Sequence, residues 1–162
     1  MKEFFMQEKD KNFMLVAIEL SLNSIKNNGG PFGAVIVKDG EIIAKASNSV
    51  TLDNDPTAHA EINAIRAACS ALKTFDLSGC TIYTSCEPCP MCLGAIYWAR
   101  IDKIYYANSR ANAQKIDFDD SFIYDEIHKP IAERSIKTVQ IMQDEAIKAF
   151  EAWEQKNDKI EY

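Results

Sequence analysis

Two short stretches, His59-Ala60-Glu61 and Pro88-Cys89-Pro90-Met91-Cys92, restrict the folding of this chain more than any other feature. Cys89 and Cys92 stand three residues apart, so one helical turn carries both thiols to one side, where they can grip a single ion. Prolines suit the first turn of a helix, whose N–H groups have no intrahelical partner, so Pro88 and Pro90 predict a helix over Cys89–Ala99. The positive end of that helix favours the thiolate form that metals bind. His59 and Glu61 lie two residues apart, about 200° on an ideal helix, and cannot share a side of it. Both can still lean toward the N-terminal mouth, because Cα–Cβ bonds tilt that way. Asp55-Pro56-Thr57 supplies the capping and proline signals for a helix start near Ala58. The fold must therefore set two helix mouths face to face, one offering His59 and the other Cys89 and Cys92.

Three protein ligands leave zinc an open fourth position, the mark of a catalytic rather than a structural site. Glu61 is not needed as a ligand and can move protons for a water held there. The cysteines alone also fit a Cys-x-x-Cys redox pair or half of a structural zinc site. A redox pair leaves His59 and Glu61 unexplained. A structural site lacks a fourth ligand unless Cys86 supplies it from the strand end before the helix. Cys69 and Cys80 read as small core residues, and His128, without ligand-like company, as a surface residue.

At 162 residues with 47% hydrophobic content, the chain reads as a single globular domain over 1–162. Its net charge of −6 offers no broad basic footprint, so no nucleic-acid partner is expected. No run is long enough to span a membrane, and the charged N-terminus does not resemble a signal peptide. The cysteine count is odd, with three crowded into Cys86–Cys92. That pattern suits thiols in a reducing cytoplasm.

Apolar residues at Phe13, Val16, Ala17, Leu20 and Ile25 predict a helix over Asn12–Lys26, stopped by Asn28-Gly29-Gly30-Pro31. Asp39-Gly40 joins two short apolar runs, Ala34–Lys38 and Glu41–Ala46, as a hairpin. Thr57–Leu72 reads as a helix with Ile62, Ile65, Ala68, Cys69 and Leu72 on its buried stripe. Strands are expected at Cys80–Thr84, Lys103–Ala107 and Ile136–Met142. Ser109–Pro130 reads as irregular and acidic. A last helix over Asp144–Lys156 should turn Ile147, Phe150 and Trp153 inward. Alternating strands and helices imply helices packed on a sheet.

His-x-Glu followed by Pro-Cys-x-x-Cys is the known signature of zinc deaminases, and the chain resembles the cytidine deaminase superfamily. Within it, Gly29–Val37, Asp55–Glu61, Thr84–Cys92, Gly94–Arg100, Phe118–Tyr124 and Glu161-Tyr162 read like the bacterial guanine deaminase branch. The resemblance runs from about Gly29 to the C-terminus. It implies an α/β fold, a three-layer α/β/α sandwich around a mixed sheet, with one zinc per chain held by His59, Cys89 and Cys92. Glu61 would be the proton carrier in the hydrolysis of guanine to xanthine and ammonia. Phe32, Asn48, Ala60, Asp120 and Tyr162 would contact the substrate. Phe32 alone also reads as core, Asn48 as a residue that satisfies a turn, and Asp119-Asp120 as a solvated acidic run or a helix cap. The branch further implies a homodimer whose C-terminal segment can cross to the partner. One departure stands out: Asp117 occupies a place where that branch would have a small residue such as Gly.

Three other readings compete. A tRNA adenosine deaminase shares the chemistry, but an RNA substrate should be gripped by Lys and Arg, against the acidic balance here. Deamination of cytosine, a triazine or another aminated ring is a second possibility within the same chemistry. A catalytically silent zinc-binding interaction module is the non-enzyme alternative, for which the free Glu61 has no use.

Overall fold

The computed structural model describes residues 8–162. They fall into two compact units that divide between Asp120 and Ser121.

The first unit is built on a four-stranded sheet. Its strands are β1 (Gly33–Lys38), β2 (Glu41–Ser47), β3 (Cys80–Cys86) and β4 (Lys103–Asn108), in the order β2-β1-β3-β4. β1 runs antiparallel to β2 and β3, whereas β3 and β4 are parallel, so the sheet is mixed. Asp39 and Gly40 take φ of 52° and 81°, the left-handed pair that a two-residue hairpin turn needs to match strand twist.

Helix α1 (Glu8–Lys26) covers one face of the sheet. There Ala17, Val35, Val37 and Tyr83 are buried, with Phe13, Met14, Val16 and Leu20 packed against them. Tyr83 donates to buried Asp10 at 2.6 Å, and its ring stacks on Tyr105 with centroids 5.0 Å apart. Burial and the bond to Asp10 push the Tyr83 hydroxyl above its ordinary pKa. Ile25, expected on the inner face of this helix, is exposed.

On the other face lie α3 (Ala60–Leu72) and α4 (Pro90–Trp98). The main core forms here from Ala34, Ile36, Ile82, Leu77 and Ile96 together with Ala60, Ala64 and Ala68. The stripe of α3 nearest the core is thus its alanines at every fourth position, with Ile65, Cys69 and Leu72 at the margin. Small residues on that stripe let the helix approach the sheet closely. The unit is a three-layer α/β/α arrangement, as the resemblance implied. Among the described residues no helix is long and apolar enough to cross a membrane.

Three short helices were not legible as such: α2 (Val50–Asp53), α5 (Arg110–Gln114) and, in the second unit, α6 (Ser121–His128). The last two lie in the stretch expected to be irregular.

The second unit also holds a 3₁₀ turn (Ile131–Glu133) and α7 (Gln143–Gln155). Two expectations fail in it. Residues 136–142 form no strand, and Ile136 is 80% exposed. Alternating side chains suit a strand, but a strand exists only by hydrogen bonding to a neighbour. Helix α7 forms where expected, yet Ile147, Phe150 and Trp153 are exposed, Phe150 at 74%. Glu126, bonded to Lys129 and then to Ser135, is held at a pKa of about 2 and ties this unit's turns together.

Candidate active site

His59 and Cys89 are the N-caps of α3 and α4, both with extended backbone. Neither side chain bonds to its own helix end. Cap positions usually spend a side chain on orphan N–H groups; here both side chains point elsewhere. This placement also resolves the angular conflict between His59 and Glu61. The helix begins at Ala60, later than expected, so His59 leaves the helical register while Glu61 stays within it. Asp55 causes the delay: its Oδ1 accepts from the N–H and hydroxyl of Thr57, which holds residues 55–57 in a turn. Cys92 is the third residue of α4, and cap and third-residue side chains adjoin at a helix start.

The donor atoms of His59, Cys89 and Cys92 all lie within 4.8 Å of one another. His59 Nδ1 is 3.6 Å from Cys89 Sγ and 3.5 Å from Cys92 Sγ. A tetrahedral ion with Zn–S near 2.3 Å and Zn–N near 2.0–2.1 Å has an N···S edge of roughly 3.6 Å. The donor set therefore fits zinc in both chemistry and spacing. Among the described residues this is the metal-capable cluster, and Cys86 is not in it. The Cys86 thiol lies 3.9 Å from the Ser109 carbonyl, and burial pushes its pKa up to about 11.

Charge is unevenly shared within the cluster. The hydrogen bond from Cys92 is the main cause holding the Cys89 thiol at about 4, with His59 assisting against burial. Cys92 is pushed upward by that same bond, then by burial and by Glu61. His59 is raised, chiefly by its bond to Cys89. Metals bind thiolates, so an arriving cation displaces the protons held in this cluster.

Glu61 sits beside the cluster rather than in it. It is buried, its Oε2 lies 3.5 Å from Cys92 Sγ, and its Oε1 accepts from the Thr84 hydroxyl at 3.2 Å. Burial is the main cause raising its carboxyl above the ordinary range.

The remaining candidates are spread around the same unit, except Tyr162. Asn48 is buried, and its Oδ1 accepts from the N–H groups of Gly30 (3.4 Å) and Val50 (3.2 Å). It therefore does satisfy a turn, and a Cβ on Gly30 would lie 3.0 Å from that oxygen. Phe32 packs on the main core and meets Phe118 edge to face, centroids 5.0 Å apart. Ala60 is fully buried at the first turn of α3. Asp120 is half-buried. Burial raises its carboxyl, and it shares electrostatic interactions with Arg110 and Cys89. Its neighbour Asp119 is bonded to Gln114 instead. Asp117 has φ of 68°, the left-handed region in which glycine is at ease, so the turn is made with Asp in a glycine's conformation. Tyr162 belongs to the second unit.

Three polar residues escaped sequence reasoning. Thr84 reaches Glu61; Ser85 Oγ accepts from Gly33 N–H at 3.0 Å; Asn63 donates to the Ser47 carbonyl and Ser49 hydroxyl. A polar residue on an otherwise apolar strand face was the available signal for Thr84.

Zinc-compatible ligands at two facing helix mouths, beside a free buried carboxylate, define the site of a zinc-dependent deaminase. The model of the cytidine and deoxycytidylate deaminase zinc-binding region matches residues 7–108, and the chain belongs to that family. Guanine deaminase of Bacillus subtilis (strain 168) is 52% identical over 153 residues, covering 94% of this chain and 98% of that protein. The X-ray structure of guanine deaminase from Bacillus subtilis matches with a TM-score of 0.92 at 51% identity, over 97% of this chain and 99% of that one. The tRNA-specific adenosine deaminase of Aquifex aeolicus (strain VF5) is 46% identical over 95 residues, 59% of this chain and 63% of that protein.

Proposed function

We propose that this chain hydrolyses guanine to xanthine and ammonia. The observation that carries the reading is the extent of the likeness. It spans 94% of the chain for a guanine deaminase but 59% to 68% for tRNA adenosine deaminases. The acidic balance, 18 Lys and Arg against 24 Asp and Glu, supports a small substrate over an RNA held through its phosphates.

His59 Nδ1, Cys89 Sγ and Cys92 Sγ would hold the zinc. When bound there, zinc supplies the Lewis acidity that acidifies water at neutral pH. Glu61 takes a proton from the attacking water as its oxygen bonds to C2 of the purine. It passes that proton to the ring nitrogen, then carries the remaining hydroxyl proton to the amine as the C2–N bond breaks and the C2 oxygen becomes a carbonyl. Burial, by raising the carboxyl, suits it to hold a proton between those steps.

Asn48 has its Oδ1 committed to backbone amides, so Nδ2 is the atom that donates to an acceptor on the purine edge. Asp120 accepts from a ring N–H or the exocyclic amine. Phe32 and the His59 ring hold the base faces, with Ala60 against its edge. Tyr162 closes the pocket, in a homodimer whose C-terminal unit is exchanged between protomers. That exchange is supported by the apolar side chains of α7, exposed in the single chain. The compartment is the cytoplasm, supported by five free cysteines.

The test is xanthine formation from guanine by the zinc-loaded protein, with Glu61→Gln as the control. The expected result is loss of turnover by about 10²-fold or more with zinc retained. Full turnover in Glu61→Gln, or zinc loss from it, would overturn the role given to Glu61.

A further inference from the structure

The inner face of β3 carries one hydroxyl among apolar and sulfur side chains. Cys80, Ile82, Thr84 and Cys86 alternate along that face, and Cys80 and Ile82 are part of the main core. Thr84 is 1% exposed. Valine has the same shape and suits a strand at least as well. A buried hydroxyl is costly unless bonded, so its partners account for its presence.

It has two. Oγ1 lies 3.0 Å from the Cys86 carbonyl and 3.2 Å from Glu61 Oε1. The carbonyl alone, two residues along the same strand, would satisfy the hydroxyl in a purely structural role. The second partner changes the reading. Oε1 faces Thr84 on the sheet, while Oε2 faces Cys92 in the cluster at 3.5 Å. One oxygen is anchored and the other is left toward the chemistry.

We propose that Thr84 is a positioning residue for Glu61: its hydroxyl fixes Oε1 against β3 and so aims Oε2 at the reacting atoms. The hydroxyl can meet Glu61 in either direction. It donates to a carboxylate, and it accepts from a carboxylic acid while donating its own proton to the Cys86 carbonyl. The proposal rests on Glu61 being the proton carrier, as read above.

The experiment compares Thr84→Val and Thr84→Ser with the wild type as zinc-loaded proteins acting on guanine. Measured are kcat, KM, zinc content and the orientation of the Glu61 carboxyl in crystals of each variant. Valine keeps the shape and removes the anchor. Expected is a fall in kcat of about 3- to 10-fold, the worth of one hydrogen bond, with KM and zinc content unchanged and the carboxyl rotated off β3. Serine should restore most of kcat and the original orientation. Equal kcat in Thr84→Val and wild type would overturn the proposal, as would a serine variant no better than valine. Glu61→Gln separates the two levels of failure. If it is inactive while Thr84→Val is normal, only the role of Thr84 fails. If it is fully active, the reading of Glu61 itself fails.

Discussion

Residues up to Asp120 and residues 121–162 use their apolar side chains in opposite ways. In the first unit Ile36, Leu77 and Ile82 are sealed between a sheet and two helices, and that packing brings two helix mouths together. In the second, neither α6 nor α7 buries a residue, and Ile136, Ile141, Phe150 and Ile160 are exposed. The first unit has the core that a rigid metal cluster needs. The second has amphipathic elements whose apolar side chains are exposed, the observation on which the proposed exchange rests.

The largest effect on this contrast should come from the metal. His59→Ala should take zinc content, by elemental analysis, from about one per chain to near zero and abolish turnover. A ligand that binds only the folded chain stabilises it by about 4 kcal/mol at 1,000-fold excess over its Kd. The melting temperature should drop accordingly. Retention of zinc in this variant would break the assignment of the cluster.

Next in size is a pair of truncations. Ile82→Ala should cost about 2–5 kcal/mol in denaturant unfolding, because it opens a cavity in a sealed core. Phe150→Ala should cost less than about 0.5 kcal/mol at dilutions where the chain is monomeric, and more where it associates. Equal losses in the monomer would show that the two units bury their side chains alike.

The smallest effect concerns Asp117 at φ 68°. Asp117→Gly should raise stability by up to about 1 kcal/mol, since glycine adopts that region without a Cβ clash. A loss of stability would mean that the Asp side chain contributes more than the turn costs it.

How far the sequence could be read follows the same division. The hairpin at Asp39-Gly40, the α1 stripe through Ala17 and Leu20, and the facing of His59 with Cys89 and Cys92 were all legible. Local signals specify each of them: turn chemistry, helical spacing and ligand type. The start of α3 was misplaced because the Asp55 turn consumes residues that read as helix. The strand expected at Ile136–Met142 and the inward face of α7 failed for another reason. Alternation and amphipathicity say that a face will be covered, not by what, and within residues 121–162 nothing covers it. Thr84 went unread because its value depends on Glu61, distant in sequence and adjacent in space. The choice of base was the least legible, since the roles proposed for Asn48, Asp120 and Tyr162 rest on the likeness to guanine deaminases.

The most direct test is ammonia release by the zinc-loaded protein from guanine, guanosine, adenine, cytosine and a tRNA anticodon stem, assayed side by side. Release from guanine, with the others at background, is the predicted result. Release from the tRNA stem or cytosine in place of guanine would contradict the proposed substrate, and release from none would leave a zinc-binding module without the proposed chemistry.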